Sequence, residues 1–422
     1  MQTIVADKYR NLPNINDAEE MLHRCVHCGF CNATCPTFQL LGDELDGPRG
    51  RIYLIKKILE GSNPTPSTRK HLDRCLTCQS CETTCPSGVQ YSRLLEIGRQ
   101  VHNKTLQRPL KEKWIRILLR KIIIRPQLFK YLLHIAHTFS FLLPSSLKNK
   151  IPPLGNMPTV SSNAEFSTAD VTGQTNKERT LIMLRGCAQK VCAPEINQSA
   201  TELFIQLGFN VIESSADRCC GALSHHNDAT EEARELARRN IDAWWPLLEH
   251  GVEGIVITAS GCATMVKDYG HLLADDAGYA DRACKIADLC RDPVEILEPF
   301  HGQLRKRTGM ADNICFQAPC SQQHGLAIRG RVEQLLRSAG YKLTQQNIAH
   351  LCCGSACSYS TLQPEISGKL KNNKLQDLCK AEPSLISTAN IGCLLHLQSG
   401  TEIPCLLYTS DAADEMSEGG VG

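Results

Sequence analysis

Apolar residues recur with two different spacings in the second half of the chain. Short apolar runs typical of buried strands occur at Thr180 to Leu184, Gly254 to Cys262 and Leu385 to Cys393. Between them, Glu195 to Leu207 and Arg331 to Ala339 place apolar residues at the helical period. Alternating strands and helices predict α/β units, in which functional groups gather beyond the carboxyl ends of the strands. Two of the predicted strands end at a cysteine.

The middle of the chain has a helical pattern of another kind. Lys111 to Lys130 places apolar residues among seven basic ones, which predicts a basic amphipathic helix that Pro126 kinks or ends. Such a helix either binds an anionic membrane surface or packs on the preceding section, and both interpretations stay open. The uncharged run from Tyr131 to Leu147 has 17 residues, which is short of the roughly 20 that a spanning helix needs. Ile151 to Asn176 has the composition of a linker.

Cysteine content changes the picture, because the 422-residue chain has 23 cysteines. Met1 to Arg24 is charged and lacks an apolar stretch, which predicts no secretory signal peptide and a cytoplasmic, reducing compartment. Dense thiols in such a compartment are more often metal ligands than disulfides. Lys and Arg number 46 against 44 Asp and Glu, so no nucleic-acid partner is expected.

Two copies of the pattern C-x2-C-x2-C-x3-C-P lie 50 residues apart. A tight turn of this kind presents three thiolates to one [4Fe-4S] cluster, and the fourth, beyond the turn, reaches the other cluster. We therefore predict a cluster 1 set of Cys25, Cys28, Cys31 and Cys85, and a cluster 2 set of Cys75, Cys78, Cys81 and Cys35. Structural zinc is the alternative, which the third cysteine and the trailing proline disfavour.

The residues around these motifs have two interpretations each. Gly47 to Arg51 either places backbone N–H groups or positive charge near the clusters, or forms a solvated turn before a helix at Ile52 to Leu59. His27 lies inside the first motif, but thiolates already complete the ligand set. We interpret it as a neighbour of the ligands or a surface residue.

A second duplication follows, in which 31 residues separate a cysteine from Cys-Cys-Gly, and the two copies are offset by 133 residues. Glycine suits a strained turn that directs adjacent thiols toward one site. With a fourth cysteine after a predicted strand, the first module offers Cys187, Cys219, Cys220 and Cys262, and the second offers Cys320, Cys352, Cys353 and Cys393. Each module is predicted to hold a further cluster or a zinc ion, to form a redox-active dithiol, or to face a flavin or quinone without metal.

Weaker signals surround the modules. Four histidines near them are candidates for proton handling in quinone or hydroxy-acid chemistry, although structural roles are favoured: His225, His226, His324 and His396. The cysteines without repeat partners are interpreted mostly as small buried residues: Cys192, Cys284, Cys290, Cys315, Cys357, Cys379 and Cys405. The sequence has no G-x-G-x-x-G after a strand, P-loop or H-E-x-x-H, so we expect the substrate site on another subunit and predict no catalytic residue here.

The chain resembles the iron-sulfur subunits of bacterial glycolate oxidase. The stretches that carry the resemblance extend to about Pro404 and include CVHCGFCNATCPT, GDELDGPRGRIYLIK, HLDRCLTCQSCETTCPSGVQY, NIDAWWP, TASGCATMVKDYG, HLCCGSACSY and TANIGCLLHL. The resemblance implies a complex with flavoprotein subunits that carry FAD and oxidise glycolate to glyoxylate, or D-lactate to its 2-oxo acid. Electrons would then leave through this chain to a quinone-type acceptor, with the chain peripheral at the inner face of the cytoplasmic membrane. The family's cluster ligands correspond to the eight N-terminal cysteines.

Related layouts provide the alternatives. The equivalent subunit of anaerobic glycerol-3-phosphate dehydrogenase, or of a D-lactate dehydrogenase complex, has the same two-part organisation. A non-catalytic zinc-binding protein is the remaining alternative.

The predicted fold class is a multidomain combination of α+β and α/β. We expect a mostly helical two-cluster ferredoxin-like domain at 1–103, basic amphipathic helices and a linker at 104–176, the first Cys-Cys-Gly module at 177–305, the second at 306–404 and an atypical tail at 405–422. The family is expected to continue after Pro404 into a helix containing tryptophan. The tail instead reads CLLYTSDAADEMSEGGVG, and we expect it to be poorly ordered.

Overall fold

The computed structural model describes residues 1–12, 14–142, 151–152, 179–249, 251–306 and 313–411. The predicted linker, apart from residues 151–152, lies outside the described residues, and so do residues 412–422 of the predicted tail. A helical N-terminal section is followed by two parallel sheets with flanking helices. This architecture confirms the predicted fold class.

The N-terminal section consists of short helices joined by tight turns. The helices are α1 Ile15–Arg24, α2 Pro36–Leu41, α3 Pro48–Leu59, α4 Pro66–Asp73, α5 Ser80–Thr84 and α6 Tyr91–Thr105, with 3₁₀ turns at Asp7–Tyr9, Phe30–Thr34 and Glu44–Asp46. Proline begins α2, α3 and α4, where its fixed φ suits the first turn and its missing N–H costs no hydrogen bond. The predicted helix at Ile52 to Leu59 is therefore the latter part of α3.

Packing of α3 against α6 forms the core of this section. Gly98 of α6 lies against Ile55 of α3, and a Cβ at this glycine would come within 2.6 Å of the Ile55 side chain. The close approach of the two helices therefore requires glycine. Leu22, Leu59 and Leu94 fill the space around this contact. Because α1 and α4 directly precede the cysteine motifs, the same core fixes where each motif begins.

The described residues of the middle section include the helices α7 Leu110–Ile123 and α8 Pro126–Thr138, with a 3₁₀ turn at Ser140–Leu142. As predicted, the basic helix ends ahead of Pro126, which occupies the first turn of α8. Phe129 and Leu133 of α8 pack against Val191 and Cys192 of the first module. Within the described ranges, no helix is long and apolar enough to cross a membrane.

The first module is a four-stranded parallel sheet in the order β2-β1-β3-β4. Its strands are β1 Arg179–Met183, β2 Phe209–Glu213, β3 Val252–Val256 and β4 Cys290–Arg291. Its helices are α9 Gln189–Cys192, α10 Glu195–Gln206, α11 Ala222–His226, α12 Thr230–Leu248, α13 Ser260–Lys267, α14 Tyr269–Leu272, α15 Ala280–Leu289 and α16 Pro293–Leu297, followed by a 3₁₀ turn at Glu298–Phe300.

The second module repeats this arrangement in the order β6-β5-β7-β8, again with all strands parallel. Its strands are β5 Asn313–Gln317, β6 Lys342–Leu343, β7 Leu385–Thr388 and β8 Cys405–Leu407. Its helices are α17 Arg331–Ser338, α18 Tyr359–Leu362, α19 Pro364–Leu378, α20 Ile391–Gln398 and α21 Tyr408–Asp411, with a π-helical turn at Ser321–Gly325 and a 3₁₀ turn at Cys379–Ala381. Leu181 and Phe204 of the first module share one core with Phe316 and Leu335 of the second, so the two sheets form one continuous body.

Two predicted strands are shorter than expected. β3 ends at Val256 and β7 at Thr388, so Cys262 and Cys393 lie in the first turns of α13 and α20 instead of at strand ends. The parallel connection explains the difference, because the chain must leave the sheet before it enters the helix that carries it back. The thiols still lie beyond the carboxyl ends of the strands.

The C-terminal segment is folded as far as residue 411, so the prediction of a poorly ordered tail is wrong for residues 405–411. β8 pairs with β7 in parallel register, from Ile386 opposite Cys405 to Thr388 opposite Leu407. Leu407 and Tyr408 are completely buried. The hydrophobic residues of β8 therefore form the edge strand of the second sheet.

Candidate metal centres

The cluster 1 set lines one cavity of the N-terminal section. Its four thiols, from Cys25, Cys28, Cys31 and Cys85, share the wall with apolar residues such as Ile52. Positive φ at His27 (59°) and Gly29 (89°) curls the short loop around the cavity. The structure thus brings together three thiols of one motif and the fourth thiol of the other.

The cluster 2 set lines a second cavity. Its wall includes Cys35, Cys75, Cys78 and Cys81. The loop repeats the backbone of the first motif, with positive φ at Thr77 (52°) and Gln79 (59°). Matching left-handed turns at matching positions mean that both motifs direct their first three thiols in the same way.

The two motifs are related by local pseudo-symmetry, and the fourth cysteine of each motif lies in the cavity of the other. Cys35 and Cys85 each follow a short helical turn, in extended backbone with a ψ of 115°. The two turns contact each other through the hydroxyls of Thr34 and Thr84, which lie 3.2 Å apart, and Thr34 also donates to the carbonyl of Ser80. Because the turns lie side by side, the residue that leaves each turn enters the cavity of the other motif.

Burial of these thiols indicates what the cavities accommodate. Burial raises the pKa of Cys31 to about 11 and raises the pKa of Cys78 and of Cys81 well above the ordinary value of 9.0. Thiolates crowded in a buried cavity therefore need a positive charge to offset them. Four thiolate donors around one cavity match the ligand set of a [4Fe-4S] cluster, so the residues present fit that group.

Arg51 is a buried cation beside the cluster 2 set. Its side chain donates to the hydroxyl of Thr37 at 3.1 Å and forms an ion pair with Asp46 at 3.7 Å. Burial alone would lower the pKa of this guanidinium, but Cys75 and Cys35 are among the groups that raise it above the ordinary value. The interpretation of this segment as a solvated turn is therefore wrong for Arg51, which lines the same cavity as the thiols.

His27 ties the first motif to α3. Its Nε2 lies 3.1 Å from the carbonyl oxygen of Arg49, and its Nδ1 accepts a hydrogen bond of 3.4 Å from Nε of the same arginine. Both ring nitrogens are thus engaged with Arg49. The contacts agree with the prediction of a histidine that neighbours the ligands without joining them.

The four thiols of the first module form one group. Sγ of Cys187 lies 3.4 Å from Sγ of Cys219, while Cys220 contacts both Cys219 and Cys262. The hydrogen bond with Cys219, together with burial, raises the pKa of Cys187 well above its ordinary value. Gly221 has a φ of 93°, so the turn that directs both adjacent thiols inward requires glycine.

The second module repeats the group. Sγ of Cys320 lies 3.8 Å from Sγ of Cys352, and Sγ of Cys353 lies 3.4 Å from Sγ of Cys393. Gly354 has a φ of 91°, and a Cβ there would lie 2.7 Å from a backbone oxygen. Each module therefore gathers the four thiols that the sequence singled out, and each group fits either a metal cluster or tetrahedral zinc.

The cluster 2 set lies next to the second module. Cys78 and Leu76 pack in one apolar cluster with Cys320 and Cys352. Electrostatic coupling between Cys78 and Cys320 is large enough to be among the main causes that raise the pKa of Cys78, after burial. The two thiol groups therefore face each other across the boundary between the N-terminal section and the second module.

Hydrogen bonds hold this boundary together. Thr83 Oγ1 lies 2.8 Å from Nδ1 of His324, and the hydroxyl of Tyr359 donates to the carbonyl of Arg74 at 2.9 Å. The sequence had no signal for this contact, because it joins residues 241 and 285 positions apart. The relative position of the thiol groups is thus fixed by long-range packing.

The boundary between the two modules contains a cysteine without a repeat partner. Cys357 is electrostatically coupled to Cys187 and Cys262 of the first module. The neighbouring Ser358 accepts a hydrogen bond of 2.9 Å from Asn227. Sequence spacing gives no sign of this proximity, so only the three-dimensional structure connects Cys357 with the first module.

The other unpaired cysteines divide by burial. Cys284 and Cys357 are exposed, so the interpretation as small buried residues is wrong for these two. The remainder are buried or half-buried, as interpreted: Cys192, Cys290, Cys315, Cys379 and Cys405.

The four candidate histidines have structural surroundings. Burial lowers the pKa of His226 to about 3 and that of His324 and His396 to about 4, so all three are neutral near pH 7. His396 contacts Ser367 at 3.2 Å, and Nε2 of His225 lies 3.6 Å from a carboxylate oxygen of Glu96. These partners support the favoured interpretation of packing over proton handling.

Comparison with known proteins agrees with this layout. The 4Fe-4S dicluster domain family matches residues 21–89, and the Cysteine-rich domain family matches residues 182–267 and 314–398. The glycolate oxidase iron-sulfur subunit of Escherichia coli (strain K12) is 44% identical over 402 residues, which cover 94% of this chain and 95% of that protein. The chain belongs to the glycolate oxidase iron-sulfur subunit family. The dicluster match supports iron-sulfur clusters in the N-terminal section of this family member.

Other known proteins are more distantly similar to the chain. The probable glycolate oxidase iron-sulfur subunit of Bacillus subtilis (strain 168) is 28% identical, with coverage of 92% of this chain and 90% of that protein. Lactate utilization protein A of the same organism is 23% identical over 212 residues, which are 50% of this chain and 87% of that protein. A solved structure of a hypothetical protein from Helicobacter pylori has a TM-score of 0.55 at 11% identity, covers 98% of this chain and 74% of that one, and shares the fold alone.

Proposed function

We propose that the chain is the electron-transfer subunit of a complex that oxidises glycolate to glyoxylate. The observation that carries the proposal is the pair of adjoining cavities, each of which contains a predicted set of four thiols drawn from both cysteine motifs, with Cys81 in the wall of both. The 44% identity to the Escherichia coli glycolate oxidase subunit supports glycolate as the substrate of the complex. Since the chain has no organic-cofactor motif, we place glycolate oxidation on a partner subunit.

The cluster 1 set and the cluster 2 set are proposed to hold one [4Fe-4S] cluster each. When bound, such a cluster takes up and releases one electron at a time. Arg51 holds a buried positive charge against the cluster 2 set and thereby favours its reduced state. On the cluster 1 side of α3 lies Arg49, whose side chain is 43% exposed, so solvent screens its charge more strongly than that of Arg51.

The contacts between thiol groups give the relay an order. Cys81 lines both N-terminal cavities, and Cys78 packs with Cys320 and Cys352 of the second module. Cys357 belongs to the second module and lies near Cys187 of the first. We therefore propose that electrons pass from the cluster 1 set to the cluster 2 set, and onward to the second module and the first.

For this order to function, the modules must also hold redox groups. We propose a further iron-sulfur cluster in each thiol group, with zinc as the alternative. Zinc has no redox chemistry at these potentials and would end the relay at the cluster 2 set. Iron and zinc content of each module therefore distinguishes a four-site relay from a two-site relay.

The two ends of the relay face different partners. Cys28 is exposed, and Val26 (69% exposed) and Phe30 (62% exposed) surround it with apolar surface. We propose that a flavoprotein subunit carrying FAD docks there and delivers electrons to the cluster 1 set. At the other end we propose a quinone-type acceptor, with the chain peripheral at the cytoplasmic face of the membrane.

Anaerobic co-purification tests the proposal. Tagged chain should bring down a flavoprotein, and added glycolate should produce the electron paramagnetic resonance signals of reduced clusters. In the variant Cys320→Ser these signals should persist, while reduction of a quinone analogue falls by at least an order of magnitude; Cys284→Ser is the matched control on an exposed cysteine. Faster cluster reduction by D-lactate or glycerol 3-phosphate would favour the alternatives, and absence of a flavoprotein would refute the assignment.

A further inference from the structure

The helix α7 directs arginines toward the protein and large apolar residues toward solvent, while Ile122 and Ile123 at its end pack inward. Its arginines face the protein: Arg116 is buried and forms ion pairs with Asp73 and Asp228, and Arg120 pairs with Glu232. A surface helix normally buries its apolar side and exposes its charged side. Here the guanidinium groups are used to attach the helix.

The opposite side of α7 exposes its large apolar residues. Leu110 is 73% exposed, Trp114 is 67% exposed and Leu118 is 59% exposed. These three residues are spaced four apart, so they form one stripe along the helix. Burying such side chains is favourable, so their joint exposure indicates a surface that is covered by something else.

The helix α8 extends this apolar surface. Phe129 and Leu133 pack inward, and on the outer side Tyr131 (64%), Phe139 (50%) and Phe141 just after the helix (75%) remain exposed. Three aromatic side chains on α8 and its end, with Trp114 on α7, form what we call the outer face of the helix pair. An exposed apolar surface of this kind on two consecutive helices is uncommon in a soluble monomer.

Basic residues accompany the outer face. Lys111 is exposed one turn before Trp114 on the same side of α7, and three further basic residues are exposed nearby: Lys113, Arg125 and Lys130. Lys121 is also exposed, but its ammonium group pairs with Glu232 of the first module at 3.2 Å. Glu112 is the acidic residue of the two helices, and it pairs with Arg108 and Arg116 on the inner side. The outer face therefore combines aromatic and aliphatic side chains with positive charge and little negative charge.

This chemistry complements an anionic lipid surface. Tryptophan, tyrosine and phenylalanine lie at the boundary between headgroups and acyl chains, while lysine and arginine attract anionic headgroups. A protein partner would instead be expected to offer carboxylates at the positions of the lysines. We propose that the outer face of α7 and α8 is the surface by which the chain binds an anionic bilayer.

The position of the outer face suits the proposed relay. The inference rests on the membrane acceptor in that proposed function. α8 packs on Val191 and Cys192, close to Cys187 of the first module, whereas Val26 and Phe30 lie around the cluster 1 set. Ion pairs from Arg108 and Arg120 fasten the helix pair to the first module. The end of the relay is thereby held next to the lipid surface, from which a quinone is reached.

Sedimentation with vesicles tests the proposal on the complete, anaerobically purified chain. Vesicles of phosphatidylcholine with phosphatidylglycerol should bind the protein, and pure phosphatidylcholine should bind it more weakly. The double variant Trp114→Ser and Tyr131→Ser should weaken binding by about tenfold or more, which corresponds to a loss of at least about 1.4 kcal/mol of binding free energy. The matched control, Tyr53→Ser with Ile205→Ser, removes two exposed side chains outside the face and should leave binding unchanged.

A spectroscopic readout accompanies the binding measurement. Of the three tryptophans, Trp114 is exposed, Trp244 is completely buried and Trp245 is half-buried beside Arg282 in the first module. Vesicles should therefore shift tryptophan emission to shorter wavelength in the wild type and leave it unchanged in Trp114→Phe. No binding by the wild type, or equal binding by the double variant, would overturn the proposal. If the double variant bound vesicles like the wild type but no longer co-purified with the flavoprotein, the outer face would be reassigned to a protein partner. Glycolate-driven cluster reduction in detergent tests the proposed function separately.

Discussion

The hydroxyl of Tyr408 donates a hydrogen bond of 2.6 Å to Oδ1 of Asp292. Asp292 precedes α16 of the first module, and Tyr408 follows β8 of the second, so the bond joins the two modules across their shared core. Gln322 donates to the other carboxylate oxygen at 3.1 Å. Both Asp292 and Tyr408 are completely buried.

This bond predicts a pH-dependent effect of Tyr408→Phe. Burial raises the pKa of Asp292 from 3.8 to about 6, so the folded state favours the protonated acid and Asp292 stabilises less as pH rises through about 6. At pH 8 the variant removes a hydrogen bond to a carboxylate, at a cost of about 1–3 kcal/mol. At pH 5.5 the acid is mostly neutral and the loss should be smaller. Anaerobic chemical unfolding at both pH values measures the difference, and an equal loss at both would contradict it.

Because the fourth cysteine of each motif lies with the first three of the other, the structure predicts which cluster a cysteine substitution removes. Cys35→Ser should abolish the cluster 2 signals although Cys35 belongs to the first motif, and iron content should fall from about eight to about four in the N-terminal section. Electron paramagnetic resonance with iron analysis checks this. Cys284→Ser, on an exposed cysteine, should retain full iron content. Loss of cluster 1 in the Cys35→Ser variant would show that the ligand sets are not exchanged.

The buried charge of Arg51 predicts a selective change in reduction potential. Arg51→Met should make cluster 2 harder to reduce by on the order of 50–100 mV, for one charge in an effective dielectric constant of about 20. Arg51→Lys retains the charge and should have a smaller effect. Redox titration with spectroscopic detection measures both clusters in one sample, so cluster 1 is an internal reference. Equal shifts of both clusters would indicate general disruption instead of a charge effect.

Gly354 and Gly368 provide a matched pair in the second module. Gly354 has a φ of 91° and no room for a Cβ, whereas Gly368 lies in α19, where an added Cβ would meet nothing within 4 Å. Gly354→Ala should therefore cost at least about 2 kcal/mol and displace Cys353. Gly368→Ala should be neutral or stabilise by up to about 1 kcal/mol. Thermal unfolding and metal content distinguish the two, and tolerance of alanine at 354 would mean that the turn is not required.

The sequence predicted the repeated parts of the molecule well. Alternating apolar runs indicated the strands β1 and β7 and the helices α10 and α17, because local period and side-chain burial coincide there. Pro126 ends the basic helix as expected, since proline cannot continue a helix from its interior. The Cys-Cys-Gly turns followed from the freedom of glycine at positive φ.

Features set by distant residues escaped prediction. The inward orientation of Arg116 depends on Asp73 and Asp228, which are far from it in sequence and gave no periodic signal. Cys357 acquires its position beside Cys187 only through packing of one module on the other. The composition around residues 405–411 indicates a poorly ordered tail, but strand pairing with β7 determines their structure.

The cluster 1 set and the cluster 2 set differ in solvent exposure, and this difference predicts different sensitivity to oxygen. Cys28 is exposed at the surface, while Cys78 is covered by the second module. Dissolved oxygen and peroxide therefore reach the cluster 1 set first, and oxidative breakdown should begin there. A docked flavoprotein would cover that opening, so assembly would protect a cluster that the isolated chain would leave exposed.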